Sequence, residues 1–169
     1  MTADELRALQ APMKAKYKAD PDAARIEIAI KGVVEGAGIS CRVESPRGPI
    51  VAGLHEAAGG DGTLACSADM LLESLVACAG VTLKAVATAL GIELKRAEIM
   101  ATGDLDFRGT LGVSKEAPVG LSSVRLHFNV HSNADDQQLL KLLSLVERYC
   151  VIYQTLAVPP RVQASISNG

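Results

Sequence analysis

Tryptophan is absent from this 169-residue chain, and aromatic residues make up only 3% of it. So few flat rings leave no stacking platform for single-stranded nucleic acid, and the core has to be built from Ala, Leu, Val and Ile. A dominant charge is missing as well. Seventeen basic residues stand against 19 acidic ones, a formal net charge of −2, and both kinds are scattered along the chain. No electrostatic grip on DNA or on an anionic membrane is expected from that balance, and small neutral or apolar ligands suit it better. The four cysteines form no C-x-x-C pair and have no histidine at the spacing of a zinc knuckle, which argues against a structural metal. A secretory leader is also lacking: "MTADELRALQAPMKAKYKADPDA" has no apolar run behind basic residues and no small-residue cleavage site, so a cytoplasmic protein is expected. The most apolar window, residues 70–92, is interrupted by Glu73 and Lys84 and reads as a buried helix, not a membrane span.

What is present divides into an N-terminal helical arm, residues 1–24, and one domain, residues 25–169, since a chain this long supports a single substantial core. Residues 3–11 have helical spacing, with Thr2 as N-cap, Asp4 and Glu5 in the first turn, and Leu6 and Leu9 on one face. Pro12 is expected to kink or end that helix, and the basic stretch up to Pro21 reads as an arm of the kind that packs on a partner subunit. From Arg25 the period changes to two. "RIEIAIKG" and "GISCRVES" alternate around Gly36 and Gly38, which predicts a hairpin carrying Cys41. Residues 45–63 hold five of the 15 glycines together with Pro46 and Pro49, and predict a surface loop.

A long helix follows, from a Ser67 N-cap through Leu90 to a stop at Gly91, about 35 Å long at 1.5 Å per residue. Leu71, Leu72, Leu75, Val76, Val81, Leu83, Val86 and Leu90 cover most of its circumference, while Glu73, Lys84 and Thr88 share one narrow stripe, so it is expected at the centre of the fold. "RAEIMATGDLDFRGTLG" and "LSSVRLHFNVHS" read as two longer strands joined through the Pro118 and Gly120 region. A second helix is predicted from Asn133, with Asp135 and Asp136 at its positive end, a break near Cys150, and a stop at Pro159 and Pro160. "RVQASI" closes the chain as a predicted strand. Strands paired around helices without regular βαβ alternation indicate an α+β fold.

The chemistry rests on the thiols. At 100° per residue, Cys78 shares a helix face with Ser67, Leu71, Leu75, Thr82 and Val86, and on periodicity alone a buried core cysteine is the simpler reading. Yet "ACAGV" surrounds it with small side chains that let a substrate approach the sulfur. Cys150 follows "ERY", where a core thiol is again the simpler reading. Arg148 is a cation two residues away, though helical spacing turns the two side chains apart. A working thiol needs such help, because at a pKa of roughly 8.5 only a few per cent is thiolate at neutral pH. The residues by themselves leave both readings open. Among the remaining candidates, Cys66 at the helix entrance reads as filler or as a third redox thiol, and Cys41 as strand core. His55 is a solvated or pocket-lining loop residue. His127 and His131 share a strand face without a ligand partner at metal spacing. Glu147 and Arg148 suggest an ion network.

Four segments, "AAGGDG", "DMLLESLVACAGVTL", "GDLDFRGTLG" and "VERYCVIYQTL", carry a resemblance to the OsmC/Ohr family of osmotically inducible and organic hydroperoxide resistance proteins, over about residues 25–166. The most specific part is the pair of cysteines, one deep in a central helix and one at "RYC", 150 − 78 = 72 residues later. The resemblance implies an OsmC-like α+β fold with antiparallel sheets wrapped around two central helices, an intertwined homodimer, and active sites at the subunit interface. It also implies a thiol peroxidase for organic, lipid or alkyl, hydroperoxides. Cys78 would be the attacking thiol that becomes a sulfenic acid, and Cys150 would close a Cys78 to Cys150 disulfide for an external dithiol, such as a lipoyl-type carrier, to reopen. No metal, haem or flavin is implied.

One position departs from the family pattern. The glutamate expected ten residues before the first cysteine is Ala68 here, and Asp69 falls half a helical turn from Cys78. The family's thiolate-stabilising arginine has no single counterpart; Arg25, Arg42 and Arg148 are the candidates, with Lys31 nearby. The alternative is a non-catalytic member that binds an apolar ligand or senses oxidation through the same thiols.

Overall fold

Alternating side chains find their partners in two separate sheets, and one apolar helix packs against the longer sheet's first strand and the later helices. A computed structural model describes residues 1–168. Its elements are α1 (Ala3–Ala19), β1 (Lys31–Val33), β2 (Ser40–Glu44), β3 (Ile50–Gly53), β4 (Ala65–Cys66), α2 (Ser67–Leu90), β5 (Leu94–Asp104), α3 (Phe107–Thr110), β6 (Ser123–Ser132), α4 (Asp136–Tyr149) and α5 (Val151–Ala157). Single 3₁₀ turns occupy Asp22–Ala24 and Glu56–Ala58. The first sheet runs β1-β2-β3-β4, antiparallel except for the parallel β3/β4 pair, and the second is the long antiparallel β5/β6 ladder. The fold is α+β, as expected.

The core sits where α2 meets β5, α4 and α5. Leu75, Ala79, Leu83 and Ala87 recur every fourth residue along α2 and are all buried, so large and small side chains alternate on one stripe and neighbouring elements can approach closely at the alanines. Leu83 and Ala87 pack with Ile92, Leu142 and Val146, while Leu75 and Ala79 pack with Cys150. Ile99 of β5 and Phe128 of β6 touch both groups and join them into one core. Each fully buried Leu or Val contributes about 1.5–3 kcal/mol from leaving water.

The helix ends follow their local chemistry. Thr2 and Glu5 form a capping box on α1, Asp135 and Gln138 form another on α4, and Gly91 ends α2 at φ 72° with its N–H on the Ala87 and Thr88 carbonyls. The N-cap of α2 is Cys66, one residue before the expected Ser67.

Several expectations need correction. Pro12 does not end the first helix, which continues to Ala19. Pro12 leaves the Ala8 carbonyl without its usual N–H, but the segment is exposed, so water can satisfy it. The predicted loop 45–63 contains strand β3, pinned between β2 and β4. The predicted strand over 96–112 stops at Asp104 and gives way to α3, which Asp106 caps. Of "RIEIAIKG" only Lys31 and Gly32 join β1, and residues 25–30 form no ladder with any described residue, leaving Ile26 and Ile28 79% and 80% exposed. Residues 161–168 are likewise not a strand, with Ile166 99% exposed. An alternating pattern specifies what a strand buries, and a strand forms only where a ladder partner is supplied.

Candidate functional site

The site is assembled where a helix breaks against α2. Cys78 lies in α2 between the buried Leu75 and Ala79, flanked by Ala77 and Gly80, with the Thr82 hydroxyl donating to its own carbonyl at 2.8 Å. α4 ends at Tyr149, and Cys150 adopts an extended φ of −74° and ψ of 109°, after which α5 begins. The Cys150 N–H still bonds to the Val146 carbonyl at 2.8 Å, and its own carbonyl accepts from the Gln154 N–H at 2.9 Å, so this residue is a corner shared by two helices. The corner turns the Cys150 side chain inward to 0% exposure against Leu75 and Ala79, with Cys78 packed onto the same cluster. Both thiols are free, and the fold brings them together across 72 residues of chain.

Their electrostatics diverge. Burial pushes the Cys78 thiol up, but the Ile152 N–H, the Cys150 thiol, the Val151 N–H and the Thr82 hydroxyl together draw it below the ordinary thiol value. Cys150 is pushed up, chiefly by burial and further by the neighbouring Cys78, against the pull of the Tyr153 and Ile152 N–H groups. The first N–H groups of a helix lack carbonyl partners, and at the start of α5 they face the sulfur pair. The arrangement therefore holds one sulfur below the ordinary thiol value and its neighbour above it.

None of the four candidate stabilisers is among the groups that shift the Cys78 thiol. Arg42 on β2 is held between Glu35 at 3.6 Å and Glu44 at 3.3 Å. Arg25 pairs with Asp22 at 2.9 Å, and Arg148 lies 5.5 Å from the centroid of the Tyr149 ring. Asp69 is exposed in the first turn of α2, and Ala68 beside it is half-buried. Among the described residues, the groups that draw the Cys78 thiol down are amides, a hydroxyl and a thiol. Glu147 forms no pair with Arg148; it accepts the Tyr153 hydroxyl at 3.1 Å. Backbone N–H groups carry no side-chain letter, so sequence reasoning missed Val151 and Ile152. The one available signal was the break anticipated at Cys150.

Two cavities adjoin this corner. One of about 500 Å³ is walled by Leu75, Val124, Leu126, Tyr153 and Leu156, all of which also pack around the cysteines. Leu71 and Leu121 continue from it into a second, of about 350 Å³, which reaches Cys66, His55 and Phe107. His55 stacks on Phe107 with centroids 4.9 Å apart, and its Nδ1 accepts the Ala57 N–H at 3.0 Å. Cys41 is half-buried on β2 against Gly32, where an added Cβ would stand 2.9 Å from its sulfur. His127 and His131 are exposed on β6.

An α+β framework that holds two free thiols of opposite inclination at a helix corner beside an apolar cavity defines a dithiol protein. The chain belongs to the OsmC-like protein family, whose family model matches residues 60–165. Among solved structures it is similar to an OsmC-like protein from Mycoplasma pneumoniae, 19% identical over 79% of this chain and 89% of that one, with a TM-score of 0.66. It is also similar to an organic hydroperoxide resistance protein OsmC from Legionella pneumophila, 16% identical over 79% and 90%, TM-score 0.62. A third is an organic hydroperoxide resistance protein from Elizabethkingia anophelis, 15% identical over 80% and 91%, TM-score 0.63. At these identities the likeness establishes the fold. No curated protein matches the chain.

Proposed function

We propose that this protein is a thiol-dependent peroxidase that reduces organic hydroperoxides to alcohols, in oxidative-stress defence in the cytoplasm. The observation that carries the reading is the meeting of Cys78 and Cys150, the first held below the ordinary thiol value and the second above it. The Cys78 thiolate attacks the terminal oxygen of the hydroperoxide, the O–O bond breaks, and the alkoxide takes up a proton and leaves as the alcohol. Cys78 is left as a sulfenic acid. Cys150 then gives up its proton and bonds to the Cys78 sulfur, and the displaced hydroxide takes a proton and leaves as water. One hydroperoxide and two thiols thus become one alcohol, one water and one disulfide. An external dithiol, lipoyl-type in our reading, reopens the disulfide by exchange. No bound cofactor or metal enters this cycle. The cavity lined by Leu75, Val124, Leu126 and Leu156 supports an alkyl or lipid substrate, because apolar walls favour a hydrocarbon chain over hydrogen peroxide.

The working form is, in the same reading, an intertwined homodimer. Unpaired alternating segments at 25–30 and 161–168, with Ile26, Ile28, Ile30, Val162 and Ile166 exposed, support it, as does Val81 exposed on an otherwise apolar α2. Each segment would add as a strand to a second copy.

The test is a count of free thiols before and after one equivalent of cumene hydroperoxide. Rapid loss of two thiols in the wild type, abolished in Cys78→Ser and replaced by a sulfenic acid in Cys150→Ser, is the expected result. The engagement of Arg42 by two glutamates favours a second reading, a non-catalytic member that binds an apolar ligand or senses oxidation. Thiols that survive many minutes of excess peroxide would decide for it.

A further inference from the structure

Glu147 is tied down at both ends by residues beyond the corner. In an unbroken helix its carbonyl would accept the Val151 N–H, four residues on, and the Arg148 carbonyl would accept the Ile152 N–H. Instead the Gln154 side-chain Nε2 donates to the Glu147 carbonyl at 2.7 Å, and the Tyr153 hydroxyl donates to the Glu147 carboxylate at 3.1 Å. Both partners belong to α5, the helix that the break sets at an angle. The two N–H groups displaced from the helical ladder, those of Val151 and Ile152, are the ones that draw the Cys78 thiol down, and Ile152 packs in the same cluster as Cys78. Ile152 and Tyr153 also pack on Cys150, so the corner is held by its apolar contacts as well as by these bonds.

We propose that Glu147 is a positioning residue for Cys78. Its carbonyl, occupied by Gln154, and its carboxylate, occupied by Tyr153, keep the helix open at Cys150 so that the Val151 and Ile152 N–H groups stay on the Cys78 sulfur. In this arrangement a backbone device takes the place of the expected glutamate–arginine pair, for which position 68 offers only alanine. The titratable groups around Cys78 are then Cys150, in contact with it, and Glu147 and Tyr153 one bond further out.

The inference rests on reading Cys78 as the attacking thiol, but its test needs no peroxide, so the two can fail separately. Wild type, Tyr153→Phe, Gln154→Met and the double variant are alkylated with iodoacetamide across a pH series, and the modification of each cysteine is followed by peptide mass. The wild-type midpoint for Cys78 is expected below that of N-acetylcysteine alkylated alongside. In the double variant it should rise by about one pH unit, leaving roughly tenfold less thiolate at neutral pH. Circular dichroism reports whether the variants fold. If the double variant does not, Tyr153→Phe, which removes one oxygen, is read by the same midpoint. A folded variant whose Cys78 midpoint coincides with the wild type, even with a lowered melting temperature, would reduce the Glu147 contacts to a structural role and overturn the proposal. So would a wild-type Cys78 midpoint no lower than that of N-acetylcysteine.

Discussion

Joining Cys78 to Cys150 should raise the melting temperature of the chain, and the size of the rise follows from where the two residues sit. The bond closes a loop of 150 − 78 = 72 residues, and the entropy removed from the unfolded chain by a loop of that length corresponds to about 4 kcal/mol at 25 °C. In a chain of this size each kcal/mol moves the midpoint by about 2–4 °C, which gives about 8–16 °C as a ceiling. The full value is reached only if bond formation leaves the native packing alone. Here the thiols already share one cluster with Leu75 and Ala79, so little movement is required. The cost on the other side is that the Val151 and Ile152 N–H groups lose the thiolate they favour. Scanning calorimetry of the reduced protein and of protein treated with one equivalent of peroxide, with thiol titration and non-reducing mass analysis to confirm an intrachain bond, measures the difference directly. Cys150→Ser, treated the same way, should show no gain. An oxidised wild type that melts at or below the reduced form would refute the reasoning, because the corner at Cys150 would then have to open for the sulfurs to bond.

Other perturbations probe the frame around the site. Leu75→Ala removes a side chain that is 1% exposed and touches Cys150, and should cost about 2–5 kcal/mol in urea unfolding. Asp104 is held well below the usual carboxylate range, chiefly by hydrogen bonds from Arg125 and then Ser123. A depressed carboxyl contributes stability that is complete above its unfolded value, near 4, and is lost as the pH falls towards its folded value. Asp104→Asn should therefore flatten the acid limb of a stability profile below pH about 4, and above it lower the stability by a constant amount without changing its pH dependence. Gly60→Ala places a Cβ 1.9 Å from the Leu54 carbonyl oxygen, so backbone has to move. Gly59→Ala meets open space and is strained only by a φ of 91°. The first should lower the urea midpoint by more than the second, whose cost is about 1–2 kcal/mol.

Much of the fold was legible because local rules and tertiary demand agreed. The Thr2 cap, the glycine stop at Gly91, the break at Cys150 and the central placement of residues 67–90 all follow from residue types acting over a few positions. Where prediction and structure part, the missing quantity is a partner. Residues 25–30 and 161–166 have the alternation of strands yet form no ladder with any described residue, while β3 forms inside a glycine-rich stretch because β2 and β4 lie on either side of it. Pro12 was read by its helix-breaking chemistry, which has little force in a segment open to water.

For the site, the sequence by itself determined the inventory: four thiols, no carboxylate ten residues before Cys78, and a helix too apolar to face water all round. It could not determine which sulfurs meet, because 72 residues separate Cys78 from Cys150 and no periodicity spans that distance. Nor could it distinguish the two thiols, since their difference comes from burial and from backbone N–H groups that every residue except proline carries. Only the tertiary structure, by turning the chain at Cys150 and laying that corner against α2, decided that one cysteine is drawn towards the thiolate and the other held as the thiol.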